Sequence, residues 1–233
     1  AHGSGKEEPR GARPRGGRGV NWRVEALCAA SGSALPGGKI SAIAKRPLAG
    51  TVTIGERGLT GDEQINRKHH GYPPMALHHF PHETYAWLRH HFGTLPRLDG
   101  PGSMGENIST MGLTEHDVCI GDRFRLGTAL IEVTQPRQPC ATIDQHLGTR
   151  GALKALVAAA RTGWFYRVLE TGTVEAGTML QRVERGHRTW TVARAFLATY
   201  GAFRAPDGEL EELASLDRVS DRLVRDVHKR LGH

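Results

Sequence analysis

Cysteine, aromatic side chains and long apolar runs are all scarce in this chain. Its 233 residues include three cysteines, Cys28, Cys119 and Cys140, and only 6% of the residues are aromatic. Three scattered cysteines without a CxxC pair argue against a disulfide scaffold and favour a reducing, cytoplasmic compartment. No apolar run is long enough to span a membrane, and residues 1–19 lack the apolar segment of a secretory signal. We therefore expect a cytoplasmic globular protein without membrane contact.

Part of the positive charge lies in the first residues. The net charge is +7, but residues 1–19 hold five basic side chains and two acidic ones, which leaves +4 for the rest. This segment is rich in glycine, arginine and proline, and we expect it to be a disordered tail. The remaining charge suits a small anionic ligand at least as well as a nucleic-acid surface, so nucleic acid is the less favoured partner.

Glycine is abundant, at 30 of 233 residues, compared with about 7% in average proteins. Thr51–Gly55 and residues 123–127 alternate between polar and apolar side chains, as half-buried strands do. Frequent turn-permitting positions favour a β-barrel or sandwich over a helical bundle. The sequence therefore predicts a mainly β domain over residues 20–182, with peripheral helices at Glu83–Phe92 and residues 153–160.

The pattern changes after about residue 183. Residues 191–200, 209–216 and 218–231 each place apolar side chains at helical spacing. Helices this short bury a core only by packing together. We expect residues 183–233 to form a small three-helix module.

Cys140 ends the string QPRQPC at residues 135–140, directly after a strand-like apolar run at residues 130–134. The prolines at 136 and 139 stiffen this segment, because each fixes its own φ and restricts the preceding residue. The nearby Arg137 guanidinium favours the thiolate, which is the form that attacks electrophiles and binds soft metals. The alternative is a buried, inert cysteine.

Two glycine-containing strings lie close together, GLTGDEQ at residues 58–64 and KHHG at residues 68–71. Their glycines permit close backbone approach, and Lys68 with His70 could bind phosphate or position a proton donor. The spacing is not that of a P-loop. An ordinary glycine turn beside a solvated basic residue is the alternative.

A polar, glycine-framed connection follows at residues 105–110, GENIST. Asn107 could donate an amide hydrogen bond to a ligand, and Glu106 could act as an acid or base. The alternative is a turn in which the asparagine satisfies backbone groups.

Ser41 and Lys45 lie an even number of residues apart in an alternating run, which predicts one strand face for both side chains. Together they could contact an anion, or they could simply line an exposed face. Histidines are also concentrated, with seven of thirteen between residues 69 and 91. The spacing of His78, His79 and His82 could suit zinc, but surface or hydrogen-bonded histidines are the favoured interpretation.

The order of these motifs resembles the MOSC family, named after the domain at the C-terminus of molybdenum-cofactor sulfurases. The similarity runs from about residue 24 to residue 231, and its motifs are S-x-I-x-K at 41–45, GLTGDEQ at 58–64, KHHG at 68–71, GENIST-x-GLT at 105–114 and QPRQPC at 135–140. The sequence is most similar to bacterial members that confer resistance to 6-hydroxylaminopurine. In that subgroup a MOSC-type β-barrel with peripheral helices precedes a three-helix segment.

The resemblance implies a molybdenum-cofactor site in which Cys140 is the thiolate ligand, beside the dithiolene of a pyranopterin. It implies further that Asn107 and His70 line the metal pocket and that Asp62 handles protons nearby. The residues that would hold the pterin and its phosphate are Ser41, Lys45, Arg57, Lys68 and Arg137. Two positions depart from the family pattern: Tyr72 replaces a glycine, and Met75 stands where a basic residue is common.

As a function, the resemblance implies a molybdenum-dependent reductase that converts N-hydroxylated purines and related compounds to amines, which is a detoxification. The cofactor performs the redox step, and electrons would come from a separate flavin-dependent reductase. Two other classes stay open. One is a sulfur carrier or cofactor-handling protein with a persulfide on Cys140, and the other is a non-enzymatic nucleic-acid binder.

Overall fold

The computed structural model describes residues 20–30, 43–62, 73–140 and 142–233, together with the backbone of 33–34 and 40–41. The expected tail at residues 1–19 lies outside these ranges, as do Lys68, His70 and Tyr72.

In the described chain all strands lie before residue 185, with three helices among them, and three further helices follow. The strands are β1 (Asn21–Ala29), β2 (Ser33–Ala34), β3 (Ile40–Ser41), β4 (Arg46–Pro47), β5 (Thr51–Gly55), β6 (Gly58–Leu59), β7 (Leu77–His79), β8 (Ile108–Thr110), β9 (Arg123–Leu126), β10 (Ala129–Pro136), β11 (Trp164–Glu170), β12 (Gly172–Glu175) and β13 (Met179–Glu184). The helices are α1 (Glu83–Phe92), α2 (Ile143–Leu147), α3 (Ala152–Ala158), α4 (Val192–Tyr200), α5 (Asp207–Ser215) and α6 (Asp221–Leu231), with a 3₁₀ turn at Pro73–Met75.

Seven of the described strands close into a barrel in the order β13-β9-β10-β11-β7-β8-β1. Pairing of β1 with β13, for example Asn21 with Gln181, closes the ring. All pairs in the ring are antiparallel except β7 and β8. Closure removes most of the exposed edges that an open sheet would present. The expected mainly β fold, a barrel with peripheral helices and a helical module, is confirmed.

Most of the predicted elements are present. The predicted helix at Glu83–Phe92 has the observed bounds, and the helices near residues 153, 191, 209 and 218 lie within three residues of their predicted starts. The prediction of a strand across residues 41–45 was wrong. The strand that contains Ser41 ends there, and residues 43–45 are irregular with a bend at residue 44. Lys45 donates its backbone N–H to Gly102 O in a turn and not to a neighbouring strand.

Two main hydrophobic clusters organise the interior, beside a small third cluster of Ala160, Ala193 and Phe196. The larger fills the barrel and includes Trp164 and Phe124, and it extends without a break to Trp190, Leu213 and Val227 of the helical module. The smaller lies outside the barrel and joins α1, α2 and α3 through residues such as Tyr85 and Leu156. The module therefore shares the barrel's core, while the boundary near residue 183 stays a prediction. None of the helices in the described ranges is long and apolar enough to cross a membrane.

Candidate functional site

Cys140 lies on the segment that leaves β10 and enters α2. The backbone N–H of Arg137 donates to Gly163 O at 2.9 Å, and the carbonyl of Cys140 accepts from Ile143 N at 3.1 Å. The thiol is exposed, whereas Cys28 and Cys119 are buried. Thr142 Oγ1 donates a hydrogen bond to Cys140 Sγ at 3.1 Å. The inert, buried alternative is therefore wrong for Cys140.

Arg137 is buried beside this thiol, with 8% of its surface exposed. Its Nη1 has no hydrogen-bond partner among the described residues. Burial lowers the pKa of the guanidinium, while the negative charges of Glu106 and Cys140 act in the opposite direction. A buried donor of a cation that lacks a hydrogen-bond partner is costly, so this position favours an added anionic or acceptor group.

Lys45 and Asp62 form a buried ion pair with 2.5 Å between Nζ and Oδ2. Asp62 also accepts hydrogen bonds from Asn107 Nδ2 at 2.8 Å and from Ala30 N at 3.0 Å. Burial lowers the pKa of Lys45, and the Asp62 carboxylate opposes that effect. The ammonium is thus held by a protein carboxylate, which distinguishes it from the Arg137 guanidinium.

Asn107 connects several elements through its amide. Its Oδ1 accepts from His78 N at 3.0 Å, and its Nδ2 donates to Cys28 O at 3.1 Å as well as to Asp62. These contacts join β1, β7 and the Asp62 turn. They match the alternative in which this asparagine satisfies backbone groups.

Glu106 braces the loop that precedes β8. Its fully buried carboxyl group accepts hydrogen bonds from Tyr85 Oη, from Gly102 N at 2.7 Å and from Met104 N at 3.1 Å. Burial raises the pKa of Glu106, and these three donors oppose the rise. With its acceptors used inside the protein, the group holds the loop in place and is poorly placed to act as an acid or base.

The other predicted site residues are less closely defined. Arg57 lies in the exposed turn between β5 and β6. Only the backbone of Ser41 is described, in β3, and Lys68 and His70 lie outside the described residues. The structure thus brings Lys45, Asp62 and Asn107 into direct contact, and it couples Arg137 to Cys140 electrostatically.

His78 was missed as a residue of this site. It is 3% exposed, hydrogen-bonds to the Gly105 backbone, and has an Nε2 without a partner within the described ranges. Burial, and then the positive charge of Arg137, hold its pKa well below the ordinary value, so the ring is neutral. In the sequence His78 is only one of several neighbouring histidines. Nothing in the local sequence indicates that its side chain packs over Gly163.

The described residues contain no group of three or more His, Cys, Asp or Glu side chains that could hold a metal ion. A metal bound at Cys140 would therefore draw further ligands from a cofactor or from residues beyond the described ranges. A cavity of about 410 Å³ does exist, but it lies against α4 and α5, at Arg194, Phe203 and Glu209. It is a separate feature from the polar cluster around Arg137 and Cys140.

Comparison with known proteins identifies the family. The family model of the MOSC domain matches residues 66–181. Protein YiiM of Escherichia coli strain K12 is 38% identical over 197 residues, which are 84% of this chain and 87% of that protein. The chain belongs to the MOSC family. The resemblance of the motifs is thereby confirmed, and within the family the chain is YiiM-like.

Solved structures of MOSC-family relatives share the fold. The crystal structure of YiiM from Geobacillus stearothermophilus has a TM-score of 0.76 at 28% identity, covering 90% of this chain and 99% of that one. YiiM from Escherichia coli has a TM-score of 0.74 at 29% identity, covering 91% and 94%. A protein named reductase from Gibberella moniliformis is 35% identical over 158 residues, which are 67% of this chain but 28% of that protein.

Proposed function

We propose that this MOSC protein is a molybdenum-cofactor-dependent reductase of N-hydroxylated purines and related N-hydroxylated compounds. One observation carries the proposal: the exposed Cys140 thiol lies beside the buried Arg137 guanidinium, whose Nη1 lacks a hydrogen-bond partner among the described residues. Soft sulfur suits molybdenum, and a guanidinium with an unpartnered N–H donor suits an anionic cofactor. The name of the Gibberella relative supports an oxidoreductase role.

The residues around Cys140 and Arg137 fit the molybdenum cofactor. Cys140 would provide the sulfur ligand, with the Thr142 hydroxyl orienting Sγ. Arg137 would bind an anionic or acceptor edge of the cofactor and so gain the partner it lacks. Ser41, Arg57 and Lys68 remain proposed contacts for the pterin and its phosphate. Lys45 is fixed by Asp62 and would act through its charge.

When bound, the cofactor would supply the two-electron reduction that converts N–OH, with two protons, to N–H and water. The chain's own residues would exclude solvent and orient the reactants. Neutral His78 offers an acceptor at Nε2, while Asn107 and Glu106 hold the surrounding loops. His70 and Asp62 remain proposed for the metal pocket and for proton handling. We also propose that a separate flavin-dependent reductase provides the electrons and that the protein works in the cytoplasm.

Metal analysis tests the proposal. The full chain is produced in a cofactor-synthesising host, and molybdenum per chain is measured by mass spectrometry. We expect close to one molybdenum per wild-type chain, almost none in Cys140→Ala, and a strong loss in Arg137→Met. Cys119→Ala is the matched control, because it removes a buried thiol outside this cluster. Loaded wild type should reduce 6-hydroxylaminopurine with an artificial electron donor. Wild type without molybdenum, or unchanged binding in Cys140→Ala, would refute the proposal.

A sulfur carrier is the second candidate, because an exposed thiol that accepts a hydrogen bond from Thr142 also suits a persulfide. Intact mass after incubation of cofactor-free protein with a sulfur donor separates the two functions. A gain of about 32 Da, one sulfur atom, that is absent from Cys140→Ala would favour the carrier. Molybdenum binding without such a species favours the reductase.

A further inference from the structure

The start of α6 is bonded to both ends of the segment that carries Arg137. Ser220 Oγ donates to Gln135 Oε1 at 2.5 Å, and Ser220 N donates to Thr134 O at 3.2 Å. Two residues further along α6, Arg222 Nη2 donates to Gln138 Oε1 at 3.0 Å. The helical module therefore contacts the end of β10 and the segment that follows it, on either side of Arg137.

Ser220 makes these contacts from inside the protein. It is 1% exposed, as is Gln135. Its Oγ also accepts from Leu223 N at 3.0 Å, so one hydroxyl both caps α6 and holds the glutamine. A buried polar group that loses its partner is strongly destabilising. The preceding connection is fixed too, since Arg167 Nη2 of β11 donates to Arg218 O at 2.9 Å and to Val219 O at 3.0 Å.

The segment needs such external support because its own backbone offers few donors. Pro136 and Pro139 have no N–H group. Arg137 N is bonded to Gly163 O, and that contact anchors the middle of the segment to the residue before β11. The side-chain amides of Gln135 and Gln138 add two further anchors, and both bond to the start of α6.

We propose that Ser220, assisted by Arg222, is a positioning residue that holds the Arg137–Cys140 segment in its ligand-binding geometry. The C-terminal module is thus a working part of the site, acting through α6, although none of its residues is proposed to touch the cofactor. This positioning role depends on the proposed function only for the identity of the ligand. The contacts of Ser220 and Arg222 themselves are present in the chain without cofactor.

Hydrogen–deuterium exchange on the full-length, cofactor-free chain tests the positioning. The reporter is the Arg137 amide, and amides of β9 and β13 serve as internal references. Ser220→Ala should accelerate exchange at Arg137 about tenfold relative to these references, because a buried hydrogen bond is lost. Ser220→Thr keeps the hydroxyl and should restore slow exchange.

The matched control is Thr191→Ala. Thr191 caps α4 of the same module by accepting from Arg194 N at 3.1 Å, so this variant loses a cap without touching the Cys140 segment. Gln135→Leu leaves the α6 cap intact and should reproduce the effect of Ser220→Ala, with the double variant no worse than either single one. Equal acceleration at Arg137 in Ser220→Ala and Thr191→Ala, or no restoration by threonine, would overturn the proposal.

Two further measurements complete the test. If Ser220→Ala does not fold, Arg222→Ala removes the exposed contact to Gln138 and should accelerate exchange at the amides of Gln138, Cys140 and Ile143 several-fold. On molybdenum-loaded protein, Ser220→Ala should lose the metal several-fold faster than Thr191→Ala during dialysis. Wild type that binds no molybdenum refutes the proposed function alone, because the exchange measurements decide the positioning role without cofactor.

Discussion

A buried carboxyl group supports the strand on which Arg137 depends. Glu115 is 1% exposed, and its Oε1 accepts from Gly163 N at 2.7 Å. The carbonyl of the same glycine accepts from Arg137 N. Burial raises the pKa of Glu115 to about 7, although the Gly163 hydrogen bond and the charge of Arg161 oppose the rise. The folded protein therefore keeps a proton on Glu115 that the unfolded chain releases near pH 4.5.

Replacing this carboxyl by an amide should make the protein more stable at high pH. Since the folded pKa is raised, the stabilisation is complete below pH 4.5 and is lost as pH rises through about 7. Glu115→Gln mimics the protonated form and keeps the acceptor for Gly163. We expect Glu115→Gln to have the same free energy of unfolding as wild type at pH 4. At pH 8 its free energy of unfolding should be about 3 kcal/mol higher than that of wild type. Urea denaturation at both pH values measures this.

The exposed Glu175→Gln serves as the control and should show no such pH-dependent difference. If Glu115→Gln were less stable than wild type at pH 8, the pKa of Glu115 would not be raised in the folded state and the expected sign would be wrong.

At the scale of elements, Gly163 lets β7, β10 and β11 meet. Its φ is +77°, and a Cβ there would lie 2.2 Å from His79 O and 2.8 Å from His78 Nε2. Both obstacles belong to β7, and the first is backbone that cannot move aside. Only glycine permits this approach, which lets His78 Nε2 lie close to the residue whose carbonyl bonds Arg137 N.

Gly163→Ala should therefore destabilise the protein by more than about 3 kcal/mol, because backbone clash adds to an unfavourable φ. Gly148 offers a matched comparison, since its φ is +70° and nothing lies within 4 Å of the place that a Cβ would occupy. Gly148→Ala should cost only about 1 kcal/mol. Urea denaturation of both variants measures their free energies of unfolding. Similar losses of stability in the two variants would show that the lack of space for a Cβ at Gly163 is unimportant.

Local patterns predicted the longer helices and the strands β5, β9 and β10, but they assigned neither the two-residue strands nor β1, β11 and β13. The apolar spacing of α1, α4 and α6 and the alternation of β5 and β9 are properties of the segments themselves. Strands of two residues such as β4 and β6 exist because a neighbour supplies their hydrogen bonds. No window of sequence contains that neighbour, and the error at residues 43–45 has the same origin.

For the whole molecule, the continuous cluster from Trp164 to Trp190 predicts a single unfolding unit. In a Trp190→Phe variant, fluorescence reports mainly on the barrel, while far-UV circular dichroism reports strongly on the helices. The two urea transitions should coincide, because separating the module would expose its side of the shared core. A helical transition at lower urea would instead show an independent three-helix module.

The candidate site was predicted as a set of residue types, and the structure assigned them different roles. The motifs singled out Cys140, Arg137, Asn107, Lys45 and Asp62. Only the folded chain shows that Asp62 neutralises Lys45 while Arg137 has a donor left over among the described residues. Burial and pairing depend on residues far away in sequence, and so they have no local signature.

The sequence by itself determined the family, the mainly β architecture with a helical C-terminus, and the cysteine on a proline-stiffened segment, because motif order and periodicity are written along the chain. Only the tertiary structure decided that Cys140 is exposed, that Glu106 is a brace, and that Ser220 holds Gln135. Those facts depend on which distant groups exclude water from one another or bond to one another, and closure of the barrel brings them together.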